Sequence, residues 1–420
     1  QSVGGIASAR VSNEAAYLFQ KFLRVLVGTN NVDYPDGAGV RAHPTGLSAI
    51  ADIAKSDVVV LVGIDPSEHV PVLDLHIKRA VLRKGQKLVI INPRRIELAR
   101  YTQDARTKGG AYLPVYPGQE ASLLSDLASA VQGAKAESQP AARAQGTRPA
   151  GQPPVTAKRP VPPALAGAVD ALAGAKSPLF IYGPDAARGE QGRQTVAALS
   201  NLASTLGHGD KLAYIGAEAN SQGARDMGML SDSLPGHLPV SESAVRERLG
   251  KLWGVQPPAE AGRTYAEMLD GGVRGLYVMG ANPAAVLAHA EALRKLDFLV
   301  VQDLFLTETA QLAEVVLPAT SFAEADGTYT NLERRVQRGP EAIRTEGESR
   351  ADWAIVAALG EQWLAAQTPE PVLEAAKVPD WKRKKTARGK TGPAPKPWHY
   401  SSVQAVDEEI SKAVPLYGNL

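Results

Sequence analysis

One stretch of sequence decides the fold class: Val58-Val59-Val60-Leu61-Val62-Gly63-Ile64-Asp65-Pro66. Its first five residues form an unbroken aliphatic run, which is typical of a strand covered on both faces. A helical pattern follows from about Pro71 to Lys84, and a second buried strand is predicted at Leu88 to Ile91. Strand, helix and strand in this order predict a parallel sheet of the doubly wound α/β class.

The same alternation continues on both sides of this stretch. Apolar residues recur at helical spacing from Asn13 to Val27, and Ser12 stands where an N-cap is expected. A last short helix is predicted near Val403 to Ala413. Further strands are predicted at Leu179 to Tyr182, Leu276 to Met279, Phe298 to Val301 and Val315 to Leu317.

A chain of 420 residues is too long for one compact core, so at least two domains are expected. Between Ala134 and Pro163 there are too few large apolar side chains to offset the entropy of ordering. Because the chain opens on Gln1 without a methionine or a signal-peptide pattern, we expect a piece of a longer protein. The predicted division is an α/β domain at 1–133, a flexible Ala/Pro-rich connector at 134–170, a second α/β domain at 171–366, and a basic Pro/Gly-rich tail with a short helix at 367–420.

Composition excludes several classes of function. With 44% hydrophobic and 21% charged residues, the chain is an ordinary globular protein. A net charge of +2 gives no reason to expect nucleic acid, and no apolar run is long enough for a membrane span. The absence of cysteine excludes disulfides, thiolate zinc sites, cysteine-ligated iron–sulfur clusters and cysteine nucleophiles. The seven histidines lack paired spacing, so no metal cluster is predicted.

The loops that follow the predicted strands are the candidate ligand-binding segments. In doubly wound sheets, ligands bind at the carboxyl ends of the strands, where glycine permits close approach and helix N-termini favour anions. Each loop alone is an ordinary strand-to-helix turn, but together they favour a nucleotide-like site, at least in an ancestor. The glycines of Gly183 to Gly192 do not match G-x-G-x-x-G, so NAD binding is not predicted. The loops are Gly63 to Pro66, Asn92 to Arg95, Gly183 to Asp185, Gly280 to Pro283, and Gln302 with Asp303.

Three runs near the end of the second domain carry a specific resemblance. Gln302 to Thr309, Glu314 to Ala319 and Glu324 to Gln337 resemble, in order and spacing, the molybdopterin oxidoreductase superfamily. The resemblance extends over roughly Ala7 to Leu364 and implies two Rossmann-like α/β domains that face each other across a cleft. Matching stretches upstream are Gly28 to Asp33, Asp65-Pro66, Asn92 to Arg94, Pro117 to Glu120, Asn220 to Gly228 and Gly280 to Pro283.

Two kinds of protein in this superfamily must be distinguished. Formate dehydrogenases and nitrate reductases hold a molybdenum or tungsten bis-guanylyl-pterin between the two domains. The large iron–sulfur subunit of NADH:quinone oxidoreductase, respiratory complex I, keeps the fold but generally lacks that cofactor. Its iron–sulfur clusters lie in a separate cysteine-rich N-terminal region.

The discriminating position is Ala42, which stands where the active enzymes carry a cysteine or selenocysteine metal ligand. An alanine methyl group cannot coordinate a metal. Neither Asp36 nor Ser48 is in register to replace it, and we expect His43 to be packed or hydrogen-bonded. The resemblance therefore implies no catalytic residue and no metal ligand in this chain.

Further departures from the family pattern point in the same direction. The guanine-reading Pro-Gly-Thr-Asp appears as Pro117-Gly118-Gln119-Glu120, and the usual Asp-Pro-Arg appears as Asn92-Pro93-Arg94. We also expect the β-barrel domain that usually closes the fold to be missing after the helix near Val403. Together these changes indicate a binding site that is no longer used.

The resemblance thus implies a cofactor-free scaffold region of the complex I subunit. The parent complex would pass electrons from NADH through FMN and iron–sulfur clusters to quinone, coupled to ion translocation. The expected partners are other peripheral-arm subunits, with no nucleic acid and no direct membrane insertion. The expected location is the cytoplasmic side of a bacterial plasma membrane, with the iron–sulfur clusters N-terminal to Gln1.

Two alternatives remain open. A stand-alone nucleotide-binding α/β protein would bind GDP or GTP specifically. A molybdenum or tungsten enzyme of the formate dehydrogenase type, with an atypical metal ligand, would use the strand-end residues for the pterin. Those residues are Gly63, Asp65, Arg94, Gly280, Asn282, Gln302, Asp303 and Thr307.

Overall fold

The computed structural model describes residues 2–35, 50–103, 109–138, 162–345, 347–367 and 398–418. The chain forms two compact units. Unit 1 comprises Gln1–Ala38, Glu218–Asn331 and Arg335–Leu420, and unit 2 comprises Gly39–Ala217 and Leu332–Arg334. This differs from the predicted consecutive domains 1–133 and 171–366, because the chain leaves unit 1 early and returns to it near Glu218.

The strands and α-helices of the described residues alternate over part of the chain, while the strands between Ser233 and Pro239 and those between Phe298 and Gly339 follow one another without an intervening α-helix. The strands are β1 (Val3–Ala7), β2 (Val32–Asp33), β3 (Val58–Val62), β4 (Lys87–Asn92), β5 (Gly110–Pro114), β6 (Pro178–Tyr182), β7 (Leu212–Tyr214), β8 (Ser233–Leu234), β9 (Leu238–Pro239), β10 (Gly275–Met279), β11 (Phe298–Asp303), β12 (Val315–Pro318), β13 (Gly327–Thr330) and β14 (Val336–Gly339). The helices are α1 (Asn13–Lys21), α2 (Pro66–His69), α3 (Pro71–Lys84), α4 (Glu120–Ser138), α5 (Ala166–Ala173), α6 (Pro184–Ala187), α7 (Gly189–Thr205), α8 (Ser221–Asp226), α9 (Ser243–Trp253), α10 (Tyr265–Glu267), α11 (Leu287–Leu293), α12 (Asp352–Gln367) and α13 (Val403–Ala413).

Unit 2 is built on a parallel sheet of five strands in the order β5-β4-β3-β6-β7. All five residues of β3 are buried, and they alternate between the two faces of the sheet. Val58, Val60 and Val62 pack in one apolar cluster, whereas Val59 and Leu61 pack in another. A sheet covered on both faces is what the unbroken aliphatic run predicted.

Unit 1 is built on a second parallel sheet of five strands in the order β12-β11-β10-β1-β2. Apolar clusters cover both faces of this sheet as well. The described part of the chain thus contains two doubly wound α/β sheets, which confirms the predicted fold class.

Several predicted elements are confirmed closely. The helices α3 and α13 end where the sequence pattern ends, and Ser12 caps α1 by accepting a hydrogen bond from the Ala15 amide at 3.2 Å. The predicted helix to Val27 is divided, since α1 stops at Lys21 and Phe22–Val27 continues as a π-helix. In the described residues, no helix is both long and apolar enough to cross a membrane.

The predicted connector and tail contain more structure than expected. The helix α4 runs to Ser138, and both a 3₁₀ turn at Pro163–Leu165 and α5 lie within the predicted connector 134–170. Leu165 and Val169 are buried in the core of unit 2, which explains why this end is ordered. The tail likewise returns to the core, because α13 buries Val406 and Ile410 in unit 1. Residues 139–161 and 368–397 lie outside the described residues.

Candidate functional site

The switch point of unit 2 lies between β3 and β6, because the chain proceeds from β3 to β4 on one side while β6 pairs on the other. Gly63 and Gly183 follow these two strands. Gly63 has φ +54°, and a Cβ built there would lie 2.5 Å from the Ala186 amide nitrogen. A Cβ on Gly183 would lie 2.7 Å from the Gly63 carbonyl oxygen. The two loops therefore pack directly against each other at the place where a ligand would bind.

The polar residues of the β3 loop are bonded within that loop and its neighbour. Asp65 Oδ1 caps α2 by accepting from the Ser67 amide at 3.2 Å and from the Ser67 hydroxyl at 2.7 Å. Arg94 Nη2 lies 3.6 Å from Asp65 Oδ2 and donates a hydrogen bond to Glu68. This bond raises the pKa of Arg94 and lowers the pKa of Glu68. The Arg94 side chain is 60% exposed, so a fully charged guanidinium faces solvent here.

The two family departures in unit 2 each make a contact within the fold. Glu120 is buried, and its Oε2 accepts from the Gly118 amide at 2.7 Å, so the carboxylate turns back onto its own loop. Asn92 Oδ1 accepts from the Arg94 amide at 3.2 Å, and its Nδ2 donates to the Ile64 carbonyl at 3.2 Å. An aspartate at position 92 could not donate that second bond.

The switch point of unit 1 lies between β1 and β10. The loops that follow these strands are joined by the Ser8 amide, which donates to the Met279 carbonyl at 2.9 Å. Gly280 has φ +62°, and a Cβ built there would lie 3.2 Å from Val11 Cγ1. The Gly280 amide donates to the Gln302 carbonyl at 2.8 Å. This crevice is also lined by the chain's own packed loops.

Gln302 is fully buried, and both ends of its amide are bonded within unit 1. Its Oε1 accepts from the Tyr277 hydroxyl, and its Nε2 donates to Asp352 Oδ1 at 2.5 Å. Burial raises the pKa of Asp352 to about 6, while the bond from Gln302 opposes that shift. The Gln302 side chain therefore ties β10, β11 and α12 together.

Asn282 and Thr307 hold the loop after β11. Asn282 Oδ1 accepts from the Thr309 amide at 3.1 Å and from the Thr309 hydroxyl at 2.8 Å, and its Nδ2 donates to Glu308 at 2.6 Å. Thr307 Oγ1 accepts from the Ala310 amide at 3.2 Å. These hydrogen bonds stabilise the conformation of the loop.

Among the residues of unit 1 that the pterin alternative names, Asp303 carries a half-buried carboxylate. Its Oδ1 accepts from the Leu304 amide at 2.7 Å, and desolvation raises its pKa. The positive charge of Arg10 opposes this rise in the pKa of Asp303. The Arg10 guanidinium is itself paired with Glu218, from Nε at 2.6 Å and from Nη2 at 3.1 Å. The Glu218 bond raises the pKa of Arg10.

Sequence reasoning missed Arg10, Glu218 and Asp352. Arg10 follows β1, which was not predicted because Val3–Ala7 contains two glycines. The proximity of a strand end is the signal that would have drawn attention to Arg10. Asp352 gave no such signal, since its partner Gln302 is 50 residues away along the chain.

The residues named for a pterin site are divided between the two units: Gly63, Asp65 and Arg94 belong to unit 2, and Gly280, Asn282, Gln302, Asp303 and Thr307 belong to unit 1. Asp65, Asn282, Gln302 and Thr307 bond to neighbouring groups of their own unit, whereas the side chains of Asp303 and Arg94 are partly exposed. In the ranges that the structure describes, no three histidine, aspartate or glutamate side chains converge as a metal site. Ala42, His43, Asp36 and Ser48 all lie outside the described residues.

Comparison with known proteins identifies the family. A family model described as molybdopterin oxidoreductase matches residues 1–362. The chain belongs to the molybdopterin oxidoreductase family. An acetylene hydratase structure from Pelobacter acetylenicus, also similar in fold, aligns with a TM-score of 0.54 at 17% identity over 86% of this chain and 56% of that one.

Curated relatives in the molybdopterin oxidoreductase family are of both kinds. The F420-dependent formate dehydrogenase subunit alpha of Methanocaldococcus jannaschii is 32% identical over 86% of this chain and 57% of its own length. An NADH-quinone oxidoreductase subunit of Rhizobium meliloti is 31% identical over 95% of this chain and 49% of its own length. This chain spans about half the length of these relatives.

Proposed function

We propose that this chain is a cofactor-free scaffold region of the large peripheral-arm subunit of NADH:quinone oxidoreductase. The parent complex would transfer electrons from NADH through FMN and iron–sulfur clusters to quinone and couple this to ion translocation. The region itself would perform no chemistry and would contact other peripheral-arm subunits. The complex would lie at the cytoplasmic side of a bacterial plasma membrane.

The observation that carries this proposal is the direct packing of loops at the unit 2 switch point. A ligand at a doubly wound sheet needs space where the strand order reverses. Here Ala186 occupies the space next to Gly63, with its amide nitrogen 2.5 Å from the position of a Cβ. The bonding of Gln302 and Glu120 supports the same interpretation, because both side chains are buried and bonded to neighbouring protein groups.

The experiment that tests the proposal is elemental analysis for molybdenum and tungsten on the full-length parent protein, with extraction of pterin in parallel. The proposal expects no more than background levels of either metal, and no guanylyl-pterin. Stoichiometric metal together with extractable pterin would overturn it. Co-purification of flavin- and iron–sulfur-containing subunits in the same preparation is the positive part of the test.

A second candidate is a molybdenum or tungsten oxidoreductase of the formate dehydrogenase type. The observation that favours it is the partial exposure of Asp303 and Arg94 at strand ends, which leaves one carboxylate and one guanidinium for a ligand. In that case the metal–pterin would supply the redox chemistry, and Gly63, Asp65 and Gly280 would approach it through the backbone or a carboxylate. Metal analysis distinguishes this candidate from the scaffold.

A further inference from the structure

Five large apolar side chains stand exposed on neighbouring loops of unit 1, and we call them the apolar loop patch. Leu304, Phe305 and Leu306 are 45%, 74% and 67% exposed, and they follow β11 directly. Phe322, in the loop after β12, is 76% exposed, and Ile343 is 59% exposed. Because β11 and β12 are parallel neighbours, their loops leave the sheet at the same edge. Large apolar side chains exposed together on neighbouring loops favour an interaction site.

The first loop presents its apolar side chains from a fixed backbone. Asp303 accepts hydrogen bonds from the amides of Leu304 and Phe305, and the Thr307 amide donates to the Phe305 carbonyl at 2.9 Å. Gln311 Nε2 donates to the Leu306 carbonyl at 3.2 Å. A loop held in this way loses little conformational entropy when a partner covers it.

The second loop is fixed in the same manner and is joined to the first. The Ala319 amide donates to the Asp303 carbonyl at 3.1 Å, which connects the bases of the two loops. Ser321 donates to Glu324 Oε2 from its amide at 2.9 Å and from its hydroxyl at 2.7 Å, on either side of Phe322. The Ile343 amide donates to the Ala323 carbonyl at 2.9 Å, which places Ile343 beside this loop.

The charged residues on the same segments are predominantly acidic. Residues 303–311, 319–326 and 340–345 carry five carboxylates and one guanidinium, that of Arg344; the exposed Arg350, whose carbonyl accepts from the Thr320 amide at 3.1 Å, adds a second guanidinium beside the second loop. Arg10, which faces Asp303, is already paired with Glu218. An apolar centre with an acidic rim complements a surface with an apolar centre and a basic rim. The carboxylates are Asp303, Glu308, Glu324, Asp326 and Glu341.

We propose that the apolar loop patch is a docking surface for another protein subunit, one that presents apolar side chains surrounded by lysine and arginine. This inference rests on the proposed function, since a scaffold region must contact other subunits. Phe305 and Phe322 act as the anchors. At about three-quarters exposure they offer about 300 Å² of apolar surface, from about 150–250 Å² per buried aromatic side chain. Aromatic anchors with a polar rim are the usual centre of a protein interface.

The test is site-specific photocrosslinking in the complete assembly, purified from the native host through this chain. Phe305 is replaced by p-benzoylphenylalanine in one preparation, and Leu416 is replaced in the matched control. Leu416 is 75% exposed and belongs to unit 1, but it lies outside the patch. Mass spectrometry then identifies the peptide attached at each position.

The expected result is a crosslink from position 305 to a different chain, in a peptide rich in apolar residues and in lysine or arginine. The control position should not label that peptide. A crosslink to this chain itself or to a second copy of it would overturn the proposal, as would labelling no stronger than at position 416. If other subunits co-purify but the patch does not crosslink to them, the docking surface fails while the scaffold proposal stands. If the chain purifies alone, both fail.

Charge substitutions test the acidic rim separately. Glu341 is exposed, so Glu341→Lys should leave the fold intact while reducing the crosslink yield at position 305 by several-fold at low salt. Arg344→Glu should raise that yield. Glu291→Lys makes the same charge change on exposed surface of α11 and should have no effect. Equal yields in the Glu341→Lys and Glu291→Lys variants would refute the role of the rim.

Discussion

Replacement of Gly63 by alanine probes the packed switch point of unit 2 most directly. Gly63 combines a left-handed backbone, φ +54°, with a position where a Cβ would lie 2.5 Å from Ala186 N and 2.7 Å from Ala186 Cβ. A non-glycine residue in this conformation costs about 1–2 kcal/mol. Forcing a methyl group into filled space costs about 1–3 kcal/mol more, because backbone rather than a flexible side chain must move.

The expected net loss for Gly63→Ala is about 3 kcal/mol, after allowing for the stabilisation of about 0.4–1 kcal/mol that alanine gains through the unfolded state. Two control variants separate the contributions. Gly189 has φ +65° with nothing within 4 Å of a built Cβ, so Gly189→Ala should cost only about 1 kcal/mol. Gly183 has φ −117°, and a Cβ there would lie 2.7 Å from the Gly63 carbonyl oxygen. Gly183→Ala therefore tests crowding alone.

Urea unfolding followed by far-UV circular dichroism measures these differences, and hydrogen exchange of peptides from β3 and β6 assigns them to unit 2. The reasoning is refuted if Gly63→Ala costs no more than Gly189→Ala. In that event the switch point would have room for a methyl group, and the loops after β3 and β6 would not fill the crevice between them.

Two further predictions concern buried charge. The folded pKa of Asp352, about 6, exceeds its ordinary value of 3.8. Its contribution to stability is therefore complete below the ordinary value and is lost as the pH rises through about 6. Asp352→Asn keeps an acceptor for Gln302 but cannot titrate, so the loss of stability between about pH 4 and 6, up to about 3 kcal/mol in the wild type, should disappear. A difference in stability from wild type that stays constant with pH would contradict this. Lys21 is 3% exposed and bonds Glu409 of α13 at 2.6 Å. Lys21→Met should lower the free energy of unfolding by about 2–4 kcal/mol and make α13 accessible to proteases. Lys55→Met, at a surface ion pair, should change stability by less than about 1 kcal/mol, and equal protease sensitivity of the two variants would refute the anchoring role.

The elements that the sequence predicted well are those whose signal is local. The run Val58 to Val62 and the pattern of Pro71 to Lys84 each contain the information needed to form β3 and α3. The strand β1 could not be found in this way, because Gly4 and Gly5 have low strand propensity. A Cβ on Gly5 would lie 2.2 Å from Leu23 Cδ1 of the following helical segment, and a Cβ on Gly4 would lie 2.5 Å from Met268 Sδ, so close packing requires both glycines. Tertiary contact outweighs local propensity there.

The division into units was also beyond local reasoning. The strand β1 pairs with β10, which lies in a distant part of the chain, as in the register Val3 to Gly275. Nothing in the composition of either segment marks that pairing. The sequence predicted two doubly wound sheets. It did not predict that one sheet combines strands from two distant segments of the chain, because that pairing depends on the topology of the folded structure.

For the candidate site, the motifs name residues at the strand ends but do not give the contacts that their side chains make. The pterin alternative expects Gln302, Asn282 and Asp65 to line the ligand, and all three side chains bond to neighbouring protein groups. A motif records residue types and spacing, and it does not record which way a buried side chain points. The roles assigned to these residues in a pterin site therefore stay a prediction for the second candidate function.

These contacts would explain how a family motif can persist in the cofactor-free region that we propose. Removing one partner from a buried hydrogen bond costs about 1–3 kcal/mol, so Gln302 would be retained for the stability of β10, β11 and α12 alone. Such a residue cannot distinguish a working pterin enzyme from a scaffold, since both require it. Arg94 differs, because its guanidinium is 60% exposed and its replacement should cost the fold little stability. Positions of that kind, and Ala42 above all, are where a change of function can be recorded in this family without loss of the structure.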